Sequence, residues 1–111
     1  MKRYTIRITR QAREQLRDIK KYISEVLMAP YAAKNTVAAI KKEIKSLDKM
    51  PERVRLTEEE PWRSEGIHRM RVKNNFVYYW IDEEKSKVQL TAVIYVARDQ
   101  AAQLESMEME S

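Results

Sequence analysis

Cysteine is absent from this chain of 111 residues, and histidine and glycine occur once each. Without cysteine there is no disulfide scaffold, no thiolate zinc site and no cysteine nucleophile. With His68 as the single imidazole, a metal site would have to be completed by carboxylates alone. The single glycine, Gly66, excludes a Walker loop and a dinucleotide fingerprint, both of which need several. Neither G-x-S-x-G nor H-E-x-x-H occurs. No apolar run approaches the roughly 18 residues that span a bilayer. The opening Met1-Lys2-Arg3-Tyr4-Thr5-Ile6-Arg7 alternates apolar with charged and does not read as a signal peptide. A cytoplasmic protein without membrane contact, metal or cofactor is expected.

What is present is enough apolar sequence for one core, at 43% hydrophobic residues, and an excess of positive charge, with 22 Lys and Arg against 17 Asp and Glu. Glu105 to Ser111 holds three of those acids and no base, so the net +5 of the chain becomes +8 over residues 1–104. A basic body of this size attracts polyanions, either nucleic acid or an acidic protein partner. One domain over residues 1–104 and an acidic tail over 105–111 are expected.

Residues 3–9 alternate, with Tyr4, Ile6 and Ile8 on one face and Arg3, Thr5, Arg7 and Thr9 on the other, which predicts a half-buried strand. Thr9 is placed to cap the helix that follows. From Gln11 the period changes. Ala12, Leu16, Ile19, Ile23, Val26 and Leu27 form one helical stripe, ending near Met28-Ala29 before Pro30. Ala33, Val37, Ile40, Ile44 and Leu47 form a second, ended by Met50-Pro51, so the pair reads as an antiparallel helical hairpin. Residues 52–66 read as a connection, with a short edge strand at Val54 and Leu56, an acidic loop at Glu58-Glu59-Glu60-Pro61, Trp62 over the core rim, and Gly66 where unusual backbone angles are needed.

Three strands complete the domain. Residues 67–73 alternate, with His68, Met70 and Val72 on one face and Arg69, Arg71 and Lys73 on the other. Asn74-Asn75 is the expected turn, Phe76 to Asp82 the next strand, and Val88 to Val96 the last, with a short helix from Arg98-Asp99 anchored by Leu104. The fold class is therefore α+β: an N-terminal strand, then a helical hairpin packed on a curved, mainly antiparallel sheet of about four strands.

The chemistry on offer is basic and aromatic. Arg69, Arg71 and Lys73 share a strand face, and guanidinium groups hold phosphates by paired hydrogen bonds. Tyr78, Tyr79, Trp80 and Tyr95 could stack on unpaired bases, although alternate residues of this run must pack under the helices, so most of these aromatics are expected in the core. His68 is the side-chain type suited to general acid–base work, but it shares a face with Met70 and Val72, which favours a structural, hydrogen-bonded imidazole.

The whole layout resembles the RelE/ParE superfamily of toxins from type II toxin–antitoxin modules. The likeness covers residues 3–104. It rests on Ile8-Thr9-Arg10-Gln11-Ala12 leading to Leu16-Arg17-Asp18-Ile19 and Tyr22-Ile23, on Ala33 to Leu47 with Met50-Pro51-Glu52-Arg53, on Gly66-Ile67-His68-Arg69-Met70-Arg71-Val72 with Val77-Tyr78-Tyr79, and on Val93-Ile94-Tyr95-Val96-Ala97-Arg98-Asp99. The resemblance implies a growth inhibitor neutralised by, and assembled with, a cognate antitoxin. RelE-like members cut mRNA on the ribosome without a metal; ParE-like members poison DNA gyrase and are not enzymes.

Carried over residue by residue, Arg69 and Arg71 match the family's basic strand and Arg98 a basic position after the last strand. Asn75 or Phe76 stands where the nucleases have an arginine, and Gln100 and Ser106 stand at a further Arg and Tyr. The nuclease set is thus incomplete, and the long helical hairpin is more ParE-like, so gyrase inhibition is the favoured expectation. The alternative is a ribosome-dependent mRNA interferase with His68, Arg69, Arg71, Tyr95 and Arg98 as candidate catalytic residues. Under either reading Arg69, Arg71, Lys73 and Arg98 are the candidate target-binding residues. A non-toxic binding module is a third possibility.

Overall fold

The computed structural model of the protein describes residues 2–96. The expected helix at Arg98-Asp99, its anchor Leu104, the acidic tail and the candidate residue Arg98 lie outside the described residues. The elements run β1 (Thr5–Ile8), α1 (Arg10–Lys21), a π-helical turn (Tyr22–Val26), α2 (Pro30–Ser46), a 3-10 turn (Pro51–Arg53), β2 (His68–Val72), β3 (Asn75–Asp82) and β4 (Lys87–Tyr95). They form the expected α+β arrangement. The sheet order is β1-β4-β3-β2, with β1 parallel to β4 and the other pairings antiparallel.

The helices start and stop for local reasons. Thr9 is extended, and its hydroxyl accepts from the Ala12 amide at 3.2 Å, satisfying one orphan donor of α1. Pro30 opens α2 at the position where its missing N–H costs nothing. At the far end of α2, Arg53 Nη1 donates to the carbonyl of the last helical residue, Ser46, at 3.4 Å and to that of Lys49 beyond it at 2.7 Å, placing a cation at the negative end of the helix.

The first helix departs from expectation after Lys21. The backbone widens into the π-turn, with the Leu27 amide bonded to the Tyr22 carbonyl five residues back. The wider turn shifts the following residues off the apolar stripe. Val26 and Leu27, expected in the core, are 64% and 46% exposed.

Both helices lie on one face of the sheet. Leu16, Ile19, Ile40, Ile44 and Leu47 pack there against Val77, Tyr79, Val88, Leu90 and Val93. The opposite face has its own smaller core of Ile67, Tyr78, Ala92 and Ile94, flanked by Trp62, Phe76 and Trp80. The aromatic run is therefore divided: Tyr79 lies beneath the helices, and Phe76, Tyr78 and Trp80 lie on the other side. A register shift in the β3–β4 ladder makes this possible in β4. Tyr78 pairs with Ala92 and Tyr79 with Leu90, leaving Thr91 as an extra residue. The alternation reverses across it, so that Val88, Leu90, Val93 and Tyr95 all face the helices.

Val54 packs with the helix-side core, and the connection over residues 55–67 covers the far face and the outer edge of β2. It pairs with β2 through a single bridge, Leu56 to His68, rather than the expected strand, with flanking bonds from the Thr57 amide to Ile67 O and from the Arg69 amide to Arg55 O. Gly66 has a φ of 84° and lets the connection turn into β2. The next hairpin also differs from expectation. Asn75 is a buried residue of β3, and the turn is Lys73-Asn74, with Lys73 at a φ of 53°. Val72 pairs with Asn75, so the connection has only two residues, and Lys73 cannot continue the β2 face as expected.

Candidate functional site

The far face holds the basic cluster. Arg69 and Arg71 alternate with His68, Met70 and Val72 along β2, and only the arginines point away from the helices. Arg71 is paired with Phe76 and Arg69 with Tyr78 across the ladder. Both guanidinium groups lie over the Phe76 ring, Arg69 at 4.4 Å and Arg71 at 5.7 Å from its centre, so the ring's negative π-face holds two cations in place.

Each arginine is also tied by hydrogen bonds. Arg69 Nη1 donates to a carboxylate oxygen of Glu59 at 3.0 Å. That carboxylate accepts from the Thr57 hydroxyl at 2.6 Å as well. Arg71 Nε donates to the Lys73 carbonyl at 3.1 Å, closing the β2–β3 turn. Beside Arg69, the connection opens a cavity of about 420 Å3 lined by Arg55, Leu56, Glu58, Arg63 and Arg69. Arg63 Nη1 reaches back to the Thr57 carbonyl at 3.3 Å.

The candidate proton-transfer residues lie elsewhere. His68 faces the helices and stacks on the Tyr79 ring, with centres 5.1 Å apart and planes 12° from parallel. Its Nδ1 lies 2.7 Å from the Val54 carbonyl, which can only accept, so Nδ1 carries a proton and the imidazole clamps the connection to β2. Beneath it, the Tyr79 hydroxyl donates to the Pro51 carbonyl at 2.7 Å, and burial pushes this phenol well above its ordinary value. Tyr95 is also on the helix side, where its ring meets Tyr22 at 5.7 Å. His68 is paired with Tyr79, in the middle of β3, and Tyr95 with Asn75, at its start. Four residues and two strand spacings put His68 and Tyr95 roughly 15 Å apart.

Of the candidate residues, the fold thus unites Arg69 and Arg71, leaves Lys73 in a turn beside them, and places His68 and Tyr95 on the other side of the sheet. Arg55, Arg63 and Glu59 were not singled out from the sequence. The alternation at Val54 and Leu56 was the available signal: a segment bridged to His68 through Leu56 carries Arg55 beside Arg69. Among the described residues no group of three or more His, Asp or Glu side chains gathers to hold a metal ion. No described helix is long and apolar enough to cross a membrane.

Comparison with known proteins gives consistent results. The family model for the ParE toxin of the type II toxin–antitoxin system parDE matches residues 6–100. Among curated proteins there is no significant match. Several solved structures share the fold. A chromosomal ParDE toxin–antitoxin system from P. aeruginosa superposes with a TM-score of 0.69 at 18% identity, covering 86% of this chain and 99% of that one. The RelBE2 toxin–antitoxin complex from Mycobacterium tuberculosis gives 0.61 at 24% identity, covering 84% and 98%. A mutant of the E. coli toxin RelE in the free state gives 0.62 at 14% identity, covering 94% and 92%.

Proposed function

As the chain belongs to the ParE toxin family of type II toxin–antitoxin systems, we propose that it arrests growth by binding and inhibiting DNA gyrase, without cutting RNA, and that a cognate antitoxin relieves the arrest. The observation that carries this reading is the division of the candidate nuclease residues by the sheet. Metal-free cleavage of RNA needs a base within hydrogen-bond reach of the 2′-hydroxyl and cations around the same phosphate. Arg69 and Arg71 lie on the far face, whereas His68 and Tyr95 face the helices. A phosphate held by the arginines is therefore screened from both proton-transfer groups by the body of the sheet.

The test is expression of the chain alone, with mRNA ends mapped soon after induction, alongside a supercoiling assay with purified gyrase. Growth arrest with intact mRNA and inhibited supercoiling is expected. New cuts in translated mRNA with normal supercoiling would overturn the reading in favour of a ribosome-dependent interferase. Continued growth would leave only the binding-module reading.

A further inference from the structure

We propose that the cavity beside β2 is a phosphate-binding site, and that Glu59 acts as its built-in competitor. The ligand class is a phosphate monoester or free phosphate, held by Arg55, Arg63 and Arg69. This inference is independent of the gyrase reading.

Two of the three cations are positioned before any ligand arrives. Arg69 is stacked on Phe76 at 4.4 Å. Arg63 is tethered to the Thr57 carbonyl. Arg55 adds an exposed third cation, its backbone held beside β2 because its carbonyl accepts from the Arg69 amide at 3.2 Å. A site that is already ordered loses little entropy when it binds. An oxyanion position is also already in use: Glu59 donates no hydrogen bond, accepts from Arg69 and Thr57, and is the only carboxylate the described residues place on the Arg69 guanidinium.

Charge selects the ligand. The lining holds three arginines and Glu58, a formal +2, which Glu59 reduces only to +1. An external carboxylate would have to displace an intramolecular one present at an effective concentration of about millimolar or more, and would bring no additional charge. A phosphate monoester carries about −1.5 to −2 at pH 7 and three acceptor oxygens, so it can match the cavity and engage more than one guanidinium. A phosphodiester, with a single charge, has a smaller advantage over Glu59. The cavity of about 420 Å3 leaves room for more than the phosphate itself, so the group can arrive free or at the end of a nucleotide.

Calorimetric titration of the full chain at fixed ionic strength tests this, with inorganic phosphate, uridine 5′-monophosphate and uridine as probes. Glu59→Gln keeps the shape and removes the competing charge, and is expected to tighten phosphate binding about tenfold, the value of one charge-assisted hydrogen bond. In that background Arg63→Ala, an exposed position whose loss leaves the core intact, should weaken binding by a similar factor, whereas Arg17→Ala on α1 should not. Tighter binding of the nucleotide than of phosphate, with none of uridine, identifies a terminal phosphate as the ligand; equal binding identifies free phosphate. Unchanged affinity in Glu59→Gln, or equal losses in Arg63→Ala and Arg17→Ala, overturns the proposal and leaves only diffuse attraction to a basic surface.

Discussion

The two faces of the sheet are covered by different material, and their chemistry follows the cover. Under the helices the core is mostly aliphatic, and its polar groups face inward to fixed partners: Tyr79 to the Pro51 carbonyl, His68 to the Val54 carbonyl, Gln15 Oε1 to the Val93 amide. Helices satisfy their own backbone, so side chains there need only pack. On the far face the cover is an irregular connection that must find partners for its own carbonyls and amides. It uses the Arg63 guanidinium, the Glu60 carboxylate and the edge of β2 to do so. Charged groups are therefore brought onto a face that also holds Phe76, Tyr78 and Trp80. The indole Nε1 of Trp80 is buried there without a partner among the described residues. The helix face supplies the rigidity, and the loop-covered face supplies the polar surface available for binding.

Cavity-forming substitutions should separate the two faces most strongly. Leu90 and Ile94 are both fully buried in β4, on opposite faces. Helices held by many contacts relax poorly around a void, whereas a loop can settle into it. Leu90→Ala should cost about 4 kcal/mol and Ile94→Ala about 2 kcal/mol, within the range for large-to-small core changes. Urea denaturation measures both. Equal costs would mean that the connection packs as rigidly as the helices and would remove the distinction between the faces.

A pH series sharpens the helix-face half of the comparison. The Tyr79 phenol is held well above its ordinary value of 10.0, first by burial. Above pH 10 the unfolded chain releases this proton and the folded chain retains it, so the unfolded state binds fewer protons and stability falls as pH rises. The stabilising contribution is fully present below the unfolded value and is lost between there and the raised folded value. The slope from this one group is at most about 1.4 kcal/mol per pH unit. Tyr79→Phe should lower stability at neutral pH by about 1 kcal/mol, through the lost bond to Pro51, and should flatten the alkaline decline. An unchanged decline in Tyr79→Phe would show that other groups cause it.

Much of the frame was legible in the sequence because periodicity is a local signal. The stripes of α1 and α2, the Thr9 cap, the Pro30 start, the Gly66 turn and the strand pattern of His68 to Val72 each follow from a few neighbouring residues. The order of these elements gave the α+β sheet, and its likeness to the RelE/ParE layout added the family. What stayed hidden depends on a partner remote in sequence. Thr91 reads as one more strand residue until β3 is laid beside β4 and the ladder skips it. Val26 and Leu27 fit the stripe until the backbone widens at Tyr22. Glu59 is indistinguishable from Glu58 and Glu60 in an acidic run, and only Arg69, ten residues on, marks it as the inward-facing member. The site followed the same rule. The pairing of Arg69 with Arg71 and their separation from His68 were visible as alternation, but the side taken by Tyr95 depended on the residue that the β3–β4 ladder skips.

The smallest predicted effect concerns the turn that aims the far-face arginines. An Asn-Asn turn was the expectation from side-chain preference, because asparagine tolerates left-handed backbone angles better than most residues. Lys73 takes the positive φ instead, at 53°, in a two-residue connection where glycine is favoured at this first central position. Its side chain is exposed and its carbonyl, not its ammonium, engages Arg71, so the side chain can be removed without losing that bond. Lys73→Gly relieves the steric cost of the left-handed angle but makes the unfolded chain more flexible. The net expectation is a gain of about 0.5 kcal/mol. Asn74→Gly relieves no such angle and should be neutral or slightly destabilising. Thermal melts of the two variants beside the parent resolve the order. A gain for Asn74→Gly and a loss for Lys73→Gly would place the strained residue one position later, and with it the end of the strand that presents Arg71.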